Sequence, residues 1–115
     1  MASAGRAGDA DAQDFIGTLY FEGWGVPQDY TKARQWWEKA VTQGSSSAQS
    51  DLGLLYAKGL GGTQDVVQAY MWYSLAVGNG YEIATGYRND LTKQMTPAQI
   101  AEAQQLTREW KPKGR

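Results

Sequence analysis

The side chains that could carry chemistry in this chain are carboxylates, hydroxyls, tyrosines and lysines, because histidine and cysteine are both absent. Their absence excludes thiol nucleophiles, Cys/His zinc sites and histidine-based catalytic triads. Asp14 and Glu22 are two turns apart on one predicted helix. Glycoside hydrolysis needs two such acids about 5–10 Å apart across a cleft. A carboxylate-based hydrolase is therefore the minor hypothesis, and we expect a non-catalytic protein with no cofactor and no metal.

A repeat of 36 residues organises the chain and must position any such side chains. Residues 12–44 and 48–80 are identical at 14 of 33 aligned positions. In the first unit these positions are Ala12, Gln13, Gly17, Leu19, Tyr20, Gly23, Gly25, Gln28, Asp29, Ala33, Trp36, Ala40, Val41 and Gly44. A fixed period with punctuating glycines is typical of stacked supersecondary units, which bury their apolar faces only against each other. The pattern predicts a solenoid with a binding function.

Each unit begins with a predicted helix. Ala12, Ile16, Leu19 and Tyr20 follow helical spacing, and the second unit repeats this stripe. Gly17 lies inside the helix and also recurs, although glycine there costs about 0.5–1 kcal/mol relative to alanine. Its recurrence indicates that a neighbouring helix approaches closely at this position.

A second predicted helix follows a loop that contains two glycines. Asp29 and Asp65 are predicted to be its N-caps in the two units, with catalysis as the alternative interpretation of these carboxylates. Small residues then alternate with large rings, as an interdigitated helix–helix seam requires. In the first unit this seam consists of Ala33, Trp36, Trp37, Ala40 and Val41. We therefore expect both tryptophans in the core.

The repeat frame divides the chain into five segments of one domain. Residues 10–44 and 45–80 form two full helix-loop-helix repeats, and residues 81–95 form a half repeat. Residues 96–111 form a C-terminal capping helix, and residues 1–9 are interpreted as the remnant of a preceding repeat. Whether residue 1 is the natural start stays open.

The capping helix has its own start signal. Thr96 offers an N-cap hydroxyl, Pro97 suits the first helical position and Gln99 suits the third. The apolar residues that follow lie on one stripe, and the polar residues lie largely outside it. A solenoid needs an end that is apolar inside and polar outside, and this helix meets that need.

The repeated units resemble the Sel-one-like repeat family, a relative of the tetratricopeptide repeat with a longer interhelical loop. Both units fit A-x-x-x-[IL]-G-x-x-Y-x-x-G-x-G, then Q-D, then A-x-x-W-[WY]-x-x-A-x-x-x-G. The resemblance implies an all-α, right-handed α/α superhelix that serves as an adaptor for protein partners. It also implies a bacterial protein, with the envelope or periplasm favoured over the cytoplasm.

Charge and hydropathy narrow the class of partner. The formal net charge is −1, without a large basic block, whereas nucleic-acid binding needs a basic face. No apolar run approaches the roughly 18 residues of a membrane span. We expect a protein or peptide partner, no nucleic acid and no membrane insertion.

The candidate binding surface is the concave side, which the first helices of two-helix solenoids line. The side chains outside the predicted core stripe are Asp14, Thr18, Phe21, Glu22, Ser50, Leu54, Ala57, Lys58, Asp90 and Gln94. Phe21 and Leu54 could anchor a partner inside a charged rim. The structural alternative is that Phe21 packs under the glycine loop and that Leu54 touches a neighbouring helix.

The N-terminal end is a second candidate surface. If Phe15, Leu19 or Trp24 is uncovered there, the end forms an apolar edge open to an isologous homodimer. An adaptor that binds on its concave face is the leading hypothesis. A structural fragment or self-associating module of a longer repeat array is the alternative, and the hydrolase comes last.

Overall fold

A computed structural model describes residues 9–111 of the protein, and within this range the only regular structure is helical. The helices are α1 (Ala10–Glu22), α2 (Tyr30–Thr42), α3 (Ser46–Lys58), α4 (Val66–Gly78), α5 (Ala84–Leu91) and α6 (Pro97–Glu109), with a 3-10 turn at Thr92–Gln94. The predicted remnant of a preceding repeat, residues 1–9, lies outside the described residues except for Asp9, which caps α1.

Two helical hairpins stack along the chain. Helix α1 packs on α2, and α3 packs on α4; α2 and α3 join the two hairpins, while α4 also contacts α5 and α6. The predicted all-α solenoid of two helix-loop-helix units, followed by a half repeat and a terminal helix, is confirmed.

The two recurrent glycines lie where the helices of each hairpin approach most closely. A Cβ atom at Gly17 would lie 2.4 Å from Nε1 of Trp37, and one at Gly53 would lie 2.6 Å from Cδ1 of Tyr73. Real Cβ contacts are not this short, so a ring occupies the space that any larger residue would need. The close approach predicted from their recurrence is confirmed.

The helix starts follow the predicted capping pattern. The side chains of Asp29 and Asp65 accept hydrogen bonds from the backbone N–H groups of the residues three positions later, each at 3.0 Å. Thr96 and Gln99 form a reciprocal capping box at the start of α6, with Pro97 at the first helical position. These acids therefore satisfy free helical amides, which is the structural role predicted for them.

The buried core is concentrated on α2, α3 and α4. Leu52, Leu55 and Trp37 are among its largest fully buried side chains. Helix α1, in contrast, buries completely only Gln13 and Gly17, and its predicted apolar stripe is half-exposed. The second unit is therefore an interior unit with neighbours on both sides, whereas among the described residues the first unit has a neighbour on one side only.

The expectation that Trp36 belongs to the core is wrong. One residue corresponds to about 100° around a helix, so the burial of Trp37 turns Trp36 towards the edge of the seam. Its counterpart in the second unit, Trp72, is covered by Trp110 of α6, with ring centroids 5.5 Å apart. Trp36 stays half-buried, and its ring instead lies under Nζ of Lys39 at 4.4 Å.

Candidate functional site

Two adjoining cavities lie where α3 faces α4 and α5. The larger, of about 310 Å³, is lined by Leu54, Ala57, Lys58, Tyr73, Tyr87, Asp90, Leu91 and Gln94. The smaller, of about 210 Å³, is lined by Ser50, Asp51, Leu54, Tyr73, Tyr81 and Tyr87. Because Leu54, Tyr73 and Tyr87 line both, we treat the two cavities as one feature and name it the α3–α5 groove.

Six of the ten candidate residues line this groove, and all six come from the second unit and the half repeat. They are Ser50, Leu54, Ala57, Lys58, Asp90 and Gln94. Leu54 and Ala57 are half-buried between the helices, and Ser50 is only 4% exposed. Lys58 and Asp90 are exposed. The structure thus brings these residues together with an apolar floor and a charged rim.

The four candidates from the first unit do not extend the groove. Phe21 packs between α1 and α2, with ring centroids 5.3 Å from Tyr30 and 5.5 Å from Trp37. The sequence pattern placed Phe21 outside the core stripe, but its ring packs against core residues. The Thr18 hydroxyl donates to the backbone oxygen of Asp14, and Glu22 is exposed at the end of α1.

A pair of carboxyl groups joins the first unit to the second, and sequence reasoning missed one member. Asp14 of α1 and Asp51 of α3 lie beside each other at this junction. The Ser47 hydroxyl donates to the second oxygen of Asp14. Burial, followed by the nearby Asp14 charge, raises the pKa of Asp51 to about 8. The carboxyl group of Asp51 therefore holds its proton at neutral pH.

One sequence signal could have revealed Asp51. The position that carries Phe15 in the first unit carries an acid in the second. An acid where the repeat otherwise places a large apolar side chain indicates a special environment, since an ionised carboxylate is rarely buried without a partner. Comparison of the two repeats was therefore sufficient to identify Asp51 as an unusual residue.

Three tyrosines surround the smaller cavity. Burial, together with the charges of Tyr87 and Asp51, raises the pKa of Tyr73 to about 12. The pKa of Tyr81 is also raised, chiefly by burial. Tyr87 is 50% exposed, and its ring centroid lies 5.7 Å from that of Tyr73. At neutral pH Tyr73 and Tyr81 are therefore uncharged hydrogen-bonding groups attached to aromatic rings.

The arrangement of acids differs from that of a glycoside hydrolase. At neutral pH Asp51 keeps its proton beside Asp14 on the adjacent helix, whereas such enzymes hold their two carboxyl groups about 5–10 Å apart across a cleft. Within residues 9–111 no three metal-ligating side chains converge on a common point. In the same range no helix has the length and apolar character needed to cross a bilayer.

The N-terminal end carries exposed aromatic side chains. Phe15 is 60% exposed and Trp24 is 56% exposed, while Leu19 is half-buried. In the second unit the counterpart of Trp24 is Leu60, which packs against the core cluster shared with α2. Trp24 is therefore exposed at a repeat position that, in the second unit, packs against the neighbouring unit.

Comparison with known proteins gives the same architecture. The family model described as the Sel1 repeat matches residues 10–45 and 46–81. A crystal structure of a protective antigen of uropathogenic Escherichia coli strains, which displays an SLR fold, is similar with a TM-score of 0.85 and 37% identity, covering 89% of this chain and 22% of that one. A Sel1 repeat protein from Oxalobacter formigenes is similar with a TM-score of 0.70 and 38% identity, covering 73% of this chain and 24% of that one.

This chain thus spans about a quarter of the length of these two proteins or less. No curated protein sequence matches it significantly. The two repeat matches cover more than half of the chain, and they coincide with the two hairpins of the structure. The chain belongs to the Sel1 repeat family.

Proposed function

We propose that the protein is a non-catalytic adaptor that binds an extended peptide segment of a protein partner in the α3–α5 groove. Sel1 repeat proteins are generally scaffolds for protein–protein interaction, which supports this class of function. The observation that carries the proposal is the groove itself: Leu54 lies at its centre and Tyr87 is half-exposed beside it, within reach of a bound chain.

The groove has the features of an interaction anchor. Apolar and aromatic side chains in a pocket surrounded by polar groups carry most of the energy of typical interfaces. Leu54 and Tyr73 supply the apolar floor, while Lys58 and Asp90 stand at the rim with opposite charges. Opposite rim charges fix the orientation of a peptide more than they add affinity. The partner is therefore expected to place an apolar residue near Leu54.

The test combines identification with reconstitution. A tagged protein is used to capture partners from the source cell, and the purified partner is then titrated against three proteins: wild type, Leu54→Gln and Ala101→Gln. Leu54→Gln removes an apolar contact without changing charge, and we expect it to weaken binding at least tenfold, or about 1.4 kcal/mol. Ala101 is exposed on α6, away from the groove, so the same glutamine there should leave the affinity unchanged. Equal effects of the two variants would place the interface elsewhere.

A second candidate is self-association through the N-terminal end, which the exposure of Phe15 and Trp24 favours. Two copies meeting through this end would bury the same aromatic residues in an isologous contact. Sedimentation across a wide concentration range should then show a dimer that Phe15→Ser weakens. A monomer at every concentration would contradict self-association and would favour contact of this end with another repeat of a longer array.

We also propose that the protein works in the bacterial envelope, as the resemblance implies, with the cytoplasm as the alternative. One similar protein is described as a protective antigen, which favours a location open to the host. Cell fractionation against marker proteins of each compartment tests this, and recovery with the cytoplasmic markers would contradict it.

A further inference from the structure

The smaller cavity of the α3–α5 groove, named the tyrosine cavity after the three tyrosines that line it, contains more polar groups than an apolar anchor requires. We propose that it binds the guanidinium group of an arginine side chain presented by the partner peptide. The inference rests on the proposed function, because the peptide in the groove delivers that side chain. Its volume of about 210 Å³ and its six lining residues suit one side chain.

One hydroxyl that lines the tyrosine cavity has no hydrogen-bond partner among the described residues. Ser50 is only 4% exposed and lines the tyrosine cavity, yet its side chain makes no hydrogen bond to any described residue. The Ser50 oxygen can accept a hydrogen bond, so a donor entering the cavity would satisfy it.

One acid and three phenols line the tyrosine cavity. Asp51 is approached by Asp14 of α1, by Tyr73 of α4, by Tyr81 of the α4–α5 loop and by Tyr87 of α5. Among the described residues, no lysine or arginine lines it. Two carboxyl groups in contact share a proton because both cannot ionise at such short range. A cation from the partner can replace that proton.

The rings select the shape of the cation. Tyr73, Tyr81 and Tyr87 present three aromatic rings around Asp51. A guanidinium is planar, stacks on aromatic faces and carries five N–H donors in a fork that matches a carboxylate. An ammonium is compact and strongly hydrated, and it cannot stack in this way. Donors to Ser50 and Asp51, together with stacking on the rings, use both polar and aromatic groups of the cavity.

Binding exchanges a proton for the arginine. Free Asp51 holds a proton at neutral pH, and a guanidinium at its carboxyl group favours the ionised form. The carboxyl O–H bond then breaks, the proton passes to solvent, and the carboxylate pairs with the cation. The affinity should therefore rise with pH up to about 8, where free Asp51 has lost its proton, and then level off.

The probe is N-acetyl-arginine N-methylamide, with the matching citrulline compound as its neutral isostere. Both are titrated into the full chain at millimolar concentrations while the tyrosine ring signals are followed by NMR. Calorimetry in two buffers of different ionisation enthalpy counts the protons released. We expect the arginine probe to bind at least tenfold more tightly than citrulline and to release close to one proton at pH 7.

Two variants decide the role of the acid. Asp51→Asn should weaken the arginine probe at least tenfold and abolish proton release, whereas Glu102→Gln, which changes an exposed acid on α6 outside the groove, should do neither. Tyr87→Leu removes one half-exposed ring without opening the core, and it should also weaken the probe. Equal binding of arginine and citrulline, or of wild type and Asp51→Asn, would overturn the proposal, as would equal binding of the corresponding lysine compound.

The same variants separate this inference from the adaptor role. A partner lost with Leu54→Gln but retained with Asp51→Asn would leave the adaptor in place and overturn the arginine site. A probe that binds as expected, without any protein partner that depends on Leu54, would support the arginine site and contradict the adaptor.

Discussion

The chemistry of single residues in this protein depends on which unit carries them. Asp51 and Phe15 occupy the same repeat position, but Asp51 is half-buried beside a second acid and Phe15 is exposed. The local sequence around each is helical in both cases. The two positions differ because Asp51 has a neighbouring unit on this side, in which α1 supplies the carboxyl group of Asp14.

The acid pair predicts an unusual dependence of stability on pH. The folded protein holds a proton on Asp51 up to about pH 8, whereas the unfolded chain releases it near 3.8. Between these values the folded state binds more protons, so this group makes the free energy of unfolding fall as pH rises, by at most about 1.4 kcal/mol per pH unit. Asp51→Asn should remove this slope and raise the melting temperature at pH 7 and above.

Thermal unfolding followed by circular dichroism from pH 5 to 9 checks this dependence. Asp90→Asn is the matched control, because Asp90 is exposed and its ion pair with Lys93 is solvated. A wild-type protein that grows more stable over this range, with Asp51→Asn behaving alike, would show that Asp51 is ionised in the folded state.

Replacing glycine by alanine should change the free energy of unfolding in opposite directions in α3 and α5. Gly53→Ala places a methyl group 2.6 Å from the Tyr73 ring, so overpacking should lower the free energy of unfolding by about 1–3 kcal/mol. A Cβ at Gly86 would have no neighbour within 4 Å, so Gly86→Ala should raise it by about 0.5–1 kcal/mol through helix propensity. Urea unfolding measures both, and two changes of the same sign would contradict the packing argument.

At the scale of elements, the terminal helix completes the unit before it. Helix α6 places Trp110 against Trp72, and Leu106 also packs on the same core cluster. The start of α6 is fixed by its own capping box. The helix therefore forms by local signals and then covers a ring that would otherwise be half-exposed, as Trp36 is.

Removing the Trp110 ring tests this covering role. Trp110→Ala should lower the free energy of unfolding by about 2–3 kcal/mol, less than the roughly 3–5 kcal/mol of a fully buried tryptophan because Trp110 is half-buried. Trp24→Ala, at an exposed ring, should change it by less than about 0.5 kcal/mol. Denaturant unfolding at low protein concentration compares the two, and equal losses would refute the assignment.

At the scale of the whole molecule, stability is distributed unevenly along the stack. Helix α3 buries Ala48, Leu52 and Leu55 completely, whereas α1 buries no large apolar side chain completely. In repeat proteins each unit is held by its own packing and by its neighbours, so a unit with one neighbour opens more easily.

Hydrogen exchange should report this gradient. We expect the backbone amides of α3 and α4 to exchange only through global unfolding, and those of α1 to exchange through local opening at a lower free energy. Mass spectrometry of exchanged peptides provides the comparison. Uniform protection across both units would mean that the stack unfolds as one cooperative body.

The fold was largely predictable from the sequence, because its determinants are local and occur twice. The capping acids and the close-approach glycines at positions 17 and 53 each have a local chemical reason, and repetition separated them from chance. The groove was predictable in part, since the helical period placed Leu54 outside the core stripe. The positions of Phe21 and Trp36 were not predictable, because both depend on which side chains other helices bring against them.

The carboxyl contact also distinguishes one junction of the stack from every other. Helix α3 carries Ser50 where α1 carries Asp14, so a further copy of the second unit, inserted after the first copy, would meet a serine instead of an acid. The units of this protein are thus not interchangeable, because a different pair of residues meets at each junction. Lengthening the array by duplication would preserve its shape, and the new junction would lack the proton that Asp51 holds beside Asp14.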